Sequence, residues 1–430
     1  MAKVIGEPLD RIDGRAKVTG RALYAADFNE PNMAYGCIVG ATIAKGRITA
    51  IDTAAARRMP GVLLVLTHHN APKQAPVPAK AEDRHARPKP QLQSDRVRYF
   101  GEPVAFVVAR NFETARAAAD AVRVTYAPEK GRFVLDEARD RAYVPEDKEE
   151  IGKGNNEVGD FDQAFAAAPV KVDSTYTTPY QHHMPIETHG SMAVWRGDRL
   201  VVHTAVQLVA AAHKSIASTL KLPPDKVQVI SEYIGGGFGN KLPVSADAIL
   251  AALAARELKR PVKAVLTRQQ MFHAMTHRPA SIQHVRLGAE ADGTLTAIGH
   301  DSFAQSAQAD EFSEPVTAAT KSLYAAPNRR RSQRIAALDL PVADSMRAPG
   351  EAIGMLALEQ AMDELAEKLG MDPVELRLKN EPKEDPEKGV PYSSRSLVEC
   401  LREGADRFGW SRRNPQPGKT RRGDLLIGMG

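Results

Sequence analysis

The segment Ser231–Leu242, SEYIGGGFGNKL, has residue types and spacing suited to chemistry. A β-branched, apolar run enters it through Val227, Val229, Ile230, Tyr233 and Ile234. Three glycines follow, then Phe238, Gly239, Asn240 and Lys241, and an Ala/Leu-rich run, Ala246–Leu258, leaves it. The pattern is strand, glycine loop, helix. Glycine lets the backbone approach a ligand closely and take φ > 0, so such a loop can turn bare N–H groups on an anionic group. Two familiar loops do not fit. A dinucleotide loop needs G-x-G-x-x-G, and counting from Gly235 the last position is Asn240. A P-loop needs Gly-Lys-Ser/Thr, but Asn240 separates Gly239 from Lys241 and Leu242 follows. Phe238 would wall a ligand rather than cradle a phosphate. A tight strand-to-helix turn with no ligand is the competing reading.

Two further clusters carry polar chemistry. In MRAPGEA, Pro349 and Gly350 set a turn before a helix, which would aim Arg347 into a pocket. Arginine offers a rigid fork for a carboxylate or a developing oxyanion, or else simply braces the loop. The segment Gln181–His189, QHHMPIETH, invites a metal through His182, His183, Glu187 and His189. It lacks the His-x-x-x-His spacing of helical zinc sites, which favours a framework role.

The surrounding elements are mixed. Over the first ~130 residues, apolar runs at 34–42, 62–67, 104–108 and 121–126 alternate with helical stretches at 53–59 and 112–119. The proline-rich stretch 72–90 reads as an exposed loop, and the charged stretch 137–156 as a linker. Further strands are expected at 170–178, 191–204, 261–267, 281–289 and 294–302, with a helix over 208–220. The plainest helix is 351–369, with Met355, Leu358, Met362, Leu365 and Leu369 on one face and Gly370 as its C′ residue. Asp372-Pro373-Val374-Glu375 then caps and starts another.

A net charge of +5 over 430 residues gives no mandate for nucleic acid. The densest basic clusters, Arg329–Arg331 with Arg334 and Arg412–Arg413 with Arg421–Arg422, lack interleaved aromatics and read as solvated surface or a subunit contact. Two cysteines, Cys37 and Cys400, exclude a disulfide framework and a cluster ligated by this chain alone. The N-terminus has no apolar core of a signal peptide, and there is no run of 18 apolar residues for a membrane span.

GGGFGNK resembles the GGGFGxK loop of the molybdenum-cofactor subunits of the xanthine dehydrogenase and aldehyde oxidase family. RIDGRAKVTGRALYAAD (Arg11–Asp27), GEPVA (Gly101–Ala105) and MRAPGEA (Met346–Ala352) resemble three more of its signatures, in the family's order. NEVGDF (Asn156–Phe161), YTTP (Tyr176–Pro179) and THRPA (Thr276–Ala280) are most similar to bacterial periplasmic-type aldehyde oxidoreductases. The resemblance implies an α+β fold: an α/β-hammerhead domain over 1–140, a first molybdopterin-binding domain over 141–411, and a linker leading into a second such domain over 412–430. It implies that Gly236, Gly237, Phe238 and Gly239 line a molybdenum–molybdopterin cofactor, expected in its cytosine dinucleotide form. Gln207, after Thr204-Ala205-Val206, would donate from its amide to an oxo group, and Arg347 would face the substrate. The implied reaction is oxidation of an aldehyde to a carboxylic acid with water as oxygen source, the electrons leaving to 2Fe–2S clusters and FAD on partner subunits. A hydroxylase of N-heterocycles and a non-catalytic assembly protein of the same fold are the alternatives.

The family's glutamate base sits in Gly-Glu-Leu-Gly. Gly-Glu occurs here at Gly6-Glu7, Gly101-Glu102 and Gly350-Glu351, never before Leu-Gly. The apolar run Leu425–Ile427 reads as the first strand of a further domain. The sequence is therefore expected to be the N-terminal portion of such a subunit, inactive alone. The expected location is the cytoplasm, or the periplasm by export with a partner.

Overall fold

The computed structural model describes residues 6–78, 83–145, 155–416 and 418–430. Two sheets organise them. The larger has seven strands in the spatial order Val227–Ile230, Arg199–Thr204, Gly190–Arg196, Val262–Val265, Ala34–Gly40, Pro103–Ala109, Val62–Thr67. Strands from before and after residue 140 thus share one sheet. The junction is the parallel pairing of Ala34 with Val262 and Gly36 with Ala264.

The helix Ala246–Leu258 seals one face of this sheet. Between Asp247 and Arg256 its sequence is apolar all round, and Ala248 through Ala255 are at most 1% exposed. A helix without a polar side can sit only inside a core, here against Phe106, Leu200, Val202 and Ile216. It ends at Lys259 in the left-handed conformation, as the helix Val209–Leu220 ends at Lys221.

The second sheet has five strands in the order Asn156–Val158, Asn328–Leu338, Leu295–Ala307, Ser281–Ala289, Val170–Thr178. The helix Glu351–Leu369 covers it, burying Leu358, Met362 and Leu365 on Val285 and Leu287. Met355, expected on that face, is 37% exposed, and Ile353, Ala357 and Ala361 complete the buried stripe instead. Gly370 caps at φ +63°, and the Asp372 carboxylate accepts from the N–H of Val374 and Glu375. A third sheet joins Arg96–Val97, Gly46–Asp52 and Arg123–Pro128.

Three expectations are corrected. Arg329–Arg331 is not solvated surface but part of the strand Asn328–Leu338. Arg329 and Arg331 are 1% and 5% exposed. Arg329 donates to the carbonyls of Tyr324 and Thr320, and Arg331 pairs with Glu387. A guanidinium can be buried when carbonyls and a carboxylate take its donors, and composition does not reveal such partners. The stretch 72–90 turns inward over its described residues: Gln74 is buried and donates to the Gln91 carbonyl at 2.8 Å, and the Lys89 N–H donates to Thr219 Oγ1 at 2.8 Å. Of the linker expected over 137–156, residues 146–154 lie outside the described residues. The part before them packs down, with Ala138 buried beside Leu135 and Tyr143 bridging to Ile335.

Leu425–Leu426 pairs with Arg421–Arg422 in a two-stranded ladder, both leucines 64% exposed. Among the described residues, no helix is long and apolar enough to cross a membrane.

Candidate functional site

The strand Arg199–Thr204 ends where the chain turns toward the helix Val209–Leu220, and Gln207 sits in that turn. Its backbone N–H donates to the Lys241 carbonyl at 2.7 Å. Its side-chain Oε1 accepts from the N–H of Gly239 at 2.9 Å and of Lys241 at 3.3 Å. Two backbone donors on one atom fix which end of the amide is oxygen. The Nε2 group is left with no hydrogen bond among the described residues, on an exposed side chain.

The glycine loop is braced from beneath. Glu187 Oε2 accepts from the Gly235 N–H and from Lys241 Nζ, both at 2.6 Å, while the Glu187 N–H donates to the Gly235 carbonyl at 3.1 Å. The Lys241 side chain is fully buried, so its charge depends on this carboxylate. His189 Nε2 meets Asn240 Oδ1 at 2.8 Å, both groups buried. Burial pulls the ring pKa values of His183 and His189 down. Among the described residues, no group of three or more His, Cys, Asp or Glu could hold a metal ion. The Gln181–His189 segment acts here as loop scaffold.

Positive φ falls at Gly236 (+88°), Phe238 (+57°) and Gly239 (+106°). Gly237 is not among them. Its lack of a side chain serves proximity, since a Cβ there would collide with Gln207 Oε1. A Cβ on Gly239 would collide with the Ser345 carbonyl. The N–H groups of Gly236, Gly237 and Phe238 make no hydrogen bond among the described residues, and the Phe238 side chain is exposed.

Arg347 stands on the adjoining turn. Its N–H donates to the Phe238 carbonyl at 3.1 Å, which ties the turn to the glycine loop. Ala348 and Gly350 take φ +58° and +85°. Buried Arg278 holds this conformation: Nη2 donates to the carbonyls of Met346 at 2.8 Å and Arg347 at 2.7 Å, and Nε donates to Glu314 at 3.0 Å. Glu314 also accepts from the Gly350 N–H at 2.9 Å. Burial pushes the Glu314 carboxyl up to about 7, against the opposing pull of Arg278 and that N–H. The Arg347 guanidinium is exposed and makes no hydrogen bond or ion pair among the described residues.

The fold thus brings together Gln207, Gly236–Gly239 and Arg347, from three separate stretches of chain. Sequence reasoning missed the braces, Glu187 with Lys241 and Glu314 with Arg278. Lys241, Glu187 and Arg278 lie inside motifs already singled out, but linear spacing does not say which charges pair across the fold.

The donors of this cluster that lack a partner among the described residues are three backbone N–H groups, that of Gly237 on a buried residue, with an amide NH2 and a guanidinium on exposed side chains. Such a wall suits a ligand rich in acceptor oxygens. Comparison with known proteins gives this arrangement its class. Residues 144–381 match the family described as molybdopterin cofactor-binding domain, and residues 19–130 match the aldehyde oxidase and xanthine dehydrogenase a/b hammerhead domain. The chain belongs to the molybdopterin cofactor-binding family of the aldehyde oxidases and xanthine dehydrogenases.

Among particular relatives, it is 49% identical over 434 residues to the aldehyde oxidoreductase molybdenum-binding subunit PaoC of Escherichia coli K12, covering 100% of this chain and 57% of that one. It is 31% identical to the putative xanthine dehydrogenase molybdenum-binding subunit XdhA of the same strain, covering 98% and 58%. The aldehyde oxidoreductase from Desulfovibrio gigas superposes with a TM-score of 0.81 at 28% identity, over 93% of this chain and 46% of that one. The chain spans just over half the length of these curated relatives.

Proposed function

We propose that this chain supplies the donor-lined wall of a molybdenum–molybdopterin site in an oxidoreductase that converts aldehydes to carboxylic acids. The observation that carries the reading is the set of unpartnered donors at Gly236, Gly237, Phe238 and Gln207 Nε2, grouped beside an exposed aromatic ring. The bound cofactor supplies the two-electron redox centre, with water as the oxygen source. The chain's own residues do the holding. Gly236, Gly237 and Phe238 offer N–H groups to the oxygens of the metal's ligand sphere. Gln207 adds a neutral donor, which favours negative charge on an oxygen without introducing a charge of its own. Phe238 walls the substrate side, and Arg347 offers its fork to the substrate's oxygen.

No residue of this chain is assigned the general base. Glu102 is buried and held by the Arg98 N–H at 2.7 Å, and Glu351 opens a helix as a first-turn carboxylate. The cytosine dinucleotide form of the cofactor, and 2Fe–2S and FAD subunits as electron acceptors, complete the proposal. The complex belongs in the cytoplasm, or in the periplasm when a partner's signal exports it. The 49% identity to an aldehyde oxidoreductase subunit, against 31% to a xanthine dehydrogenase subunit, favours aldehydes over N-heterocycles.

The test is purification of the assembled complex. It is expected to carry molybdenum and to reduce an electron-accepting dye when given an aldehyde. A well-folded complex without molybdenum overturns the cofactor assignment. A molybdenum-loaded complex that oxidises purines but not aldehydes overturns the substrate class.

A further inference from the structure

A separate cluster of charge lies on the segment 83–90, remote in sequence from the loop just described. Arg84, Arg87 and Lys89 converge there on Asp310 and Asp344. That is three cations against two carboxylates, with no side chain of the five more than 21% exposed. His85, also near Asp344, adds a further positive charge whenever it is protonated.

The pairing among them is incomplete. Asp310 is taken by Arg87, and Lys89 Nζ stands 3.6 Å from it without a hydrogen bond. Asp344 Oδ1 accepts from the Ser345 N–H at 2.8 Å and is 3.5 Å from both Arg84 Nη1 and His85 Nε2. Arg84 Nε and Nη1 are buried without a hydrogen-bond partner. A surplus positive charge held out of water is costly. Burial, with Arg87 and Arg84 nearby, accordingly pulls the Lys89 ammonium down to about 7.

These groups border space. Arg84, Lys89, Tyr99 and Asp344 line a cavity of about 130 Å³, together with Ser245 and Ala246 at the start of the helix Ala246–Leu258. Ser245 makes no side-chain cap there, and the Tyr99 hydroxyl makes no hydrogen bond among the described residues. Among the charged side chains of the lining, the two cations Arg84 and Lys89 outnumber the one carboxylate, Asp344, and Ile38, Val244 and Leu266 form an apolar part of the wall. The volume exceeds the roughly 30 Å³ share of one water several-fold.

We propose that this cavity is a binding site for a phosphate- or sulfate-sized oxyanion, held by Lys89 and Arg84. The anion neutralises the surplus charge and satisfies the stranded donors. It also fixes the segment 83–90 against His189 and Asn240, which line the same cavity from the glycine-loop side. The inference is independent of the molybdenum reading.

Equilibrium dialysis of the 430-residue chain against radiolabelled inorganic phosphate tests it. Saturable binding of one phosphate per chain is expected, displaced by sulfate and not by chloride. At phosphate one hundred times the Kd, the thermal midpoint should rise by about 3 °C over chloride at equal ionic strength. Lys89→Met should melt no lower than wild type in chloride, because it removes the surplus positive charge, and should lose the phosphate shift. A merely structural lysine would instead lower the melting temperature in chloride. Absence of saturable phosphate binding to the wild-type chain overturns the proposal, as does a phosphate shift undiminished in Lys89→Met. Should that variant fail to fold, Arg84→Gln takes its place in the dialysis, where undiminished affinity counts against the site in the same way.

Discussion

The side-chain oxygen of Gln207 accepts the backbone N–H of Gly239 at 2.9 Å. This bond orients the amide, because its oxygen also takes the Lys241 N–H and so cannot exchange places with Nε2. One residue thereby shapes the glycine loop with one end and presents a free donor with the other.

Gln207→Glu separates these two tasks. A glutamate keeps both acceptor bonds and loses the donor. In the assembled enzyme its turnover should fall by about 10²–10³, the usual cost of one such donor, with molybdenum content kept. Gln207→Ala should lose the loop bonds as well, and hydrogen exchange at Gly239 and Lys241 should rise. Unchanged turnover in both variants would remove Gln207 from the site.

Gly237→Val should displace the Gln207 amide, since any Cβ at this position meets Oε1. The effect is steric crowding rather than backbone strain, because Gly237 is not in the left-handed region. Gly237→Ala should therefore be nearly as damaging as Gly237→Val. Molybdenum content of the purified complex, measured by elemental analysis, is expected to drop sharply in both. Wild-type occupancy in either would refute the role given to the loop.

Lys241→Met should destabilise the fold by about 3–5 kcal/mol, the range for breaking a buried pair and stranding one charge. Glu187, 14% exposed at its side chain, would lose its counterion and keep only the Gly235 N–H. Adding Glu187→Gln should recover part of the loss, since the amide oxygen still accepts that N–H without a charge. Denaturant unfolding of the wild type and the two variants checks this; a double variant no better than Lys241→Met would argue against the ion pair as the cause.

Acid should weaken the fold as two buried histidines are forced to take up protons. Burial pulls His277 and His300 down to about 4 from an ordinary 6.5. Between those values the unfolded chain binds more protons than the folded one. The two rings' contribution to stability is thus complete above about pH 6.5, falls as pH drops toward 4, and levels off below, while Glu314, raised to about 7, acts in the opposite sense between 7 and its ordinary 4.5. Each ring contributes on the order of 3 kcal/mol. His300→Gln should flatten the slope by about one proton across that window in chemical denaturation at stepped pH. An unchanged slope would mean His300 titrates normally in the folded chain.

The sequence by itself determined a great deal. The order strand, glycine loop, helix is written in local apolar runs and glycines, and Val227–Ile230 and Ala246–Leu258 form where those runs lie. Periodicity gave the helix Glu351–Leu369, and the Asp-Pro pair marked the start of the next. Motif resemblance named the family and set Gln207, the glycine loop and Arg347 apart. These are local signals, readable one turn or one strand at a time. Only the tertiary structure decided which distant groups neutralise one another. Glu187 lies 54 residues from Lys241, and Arg278 lies 36 from Glu314; nothing in linear spacing couples either pair. The same limit hid the burial of Arg329 and Arg331, since an arginine reads as surface until carbonyls and a carboxylate from elsewhere in the chain arrive to take its donors.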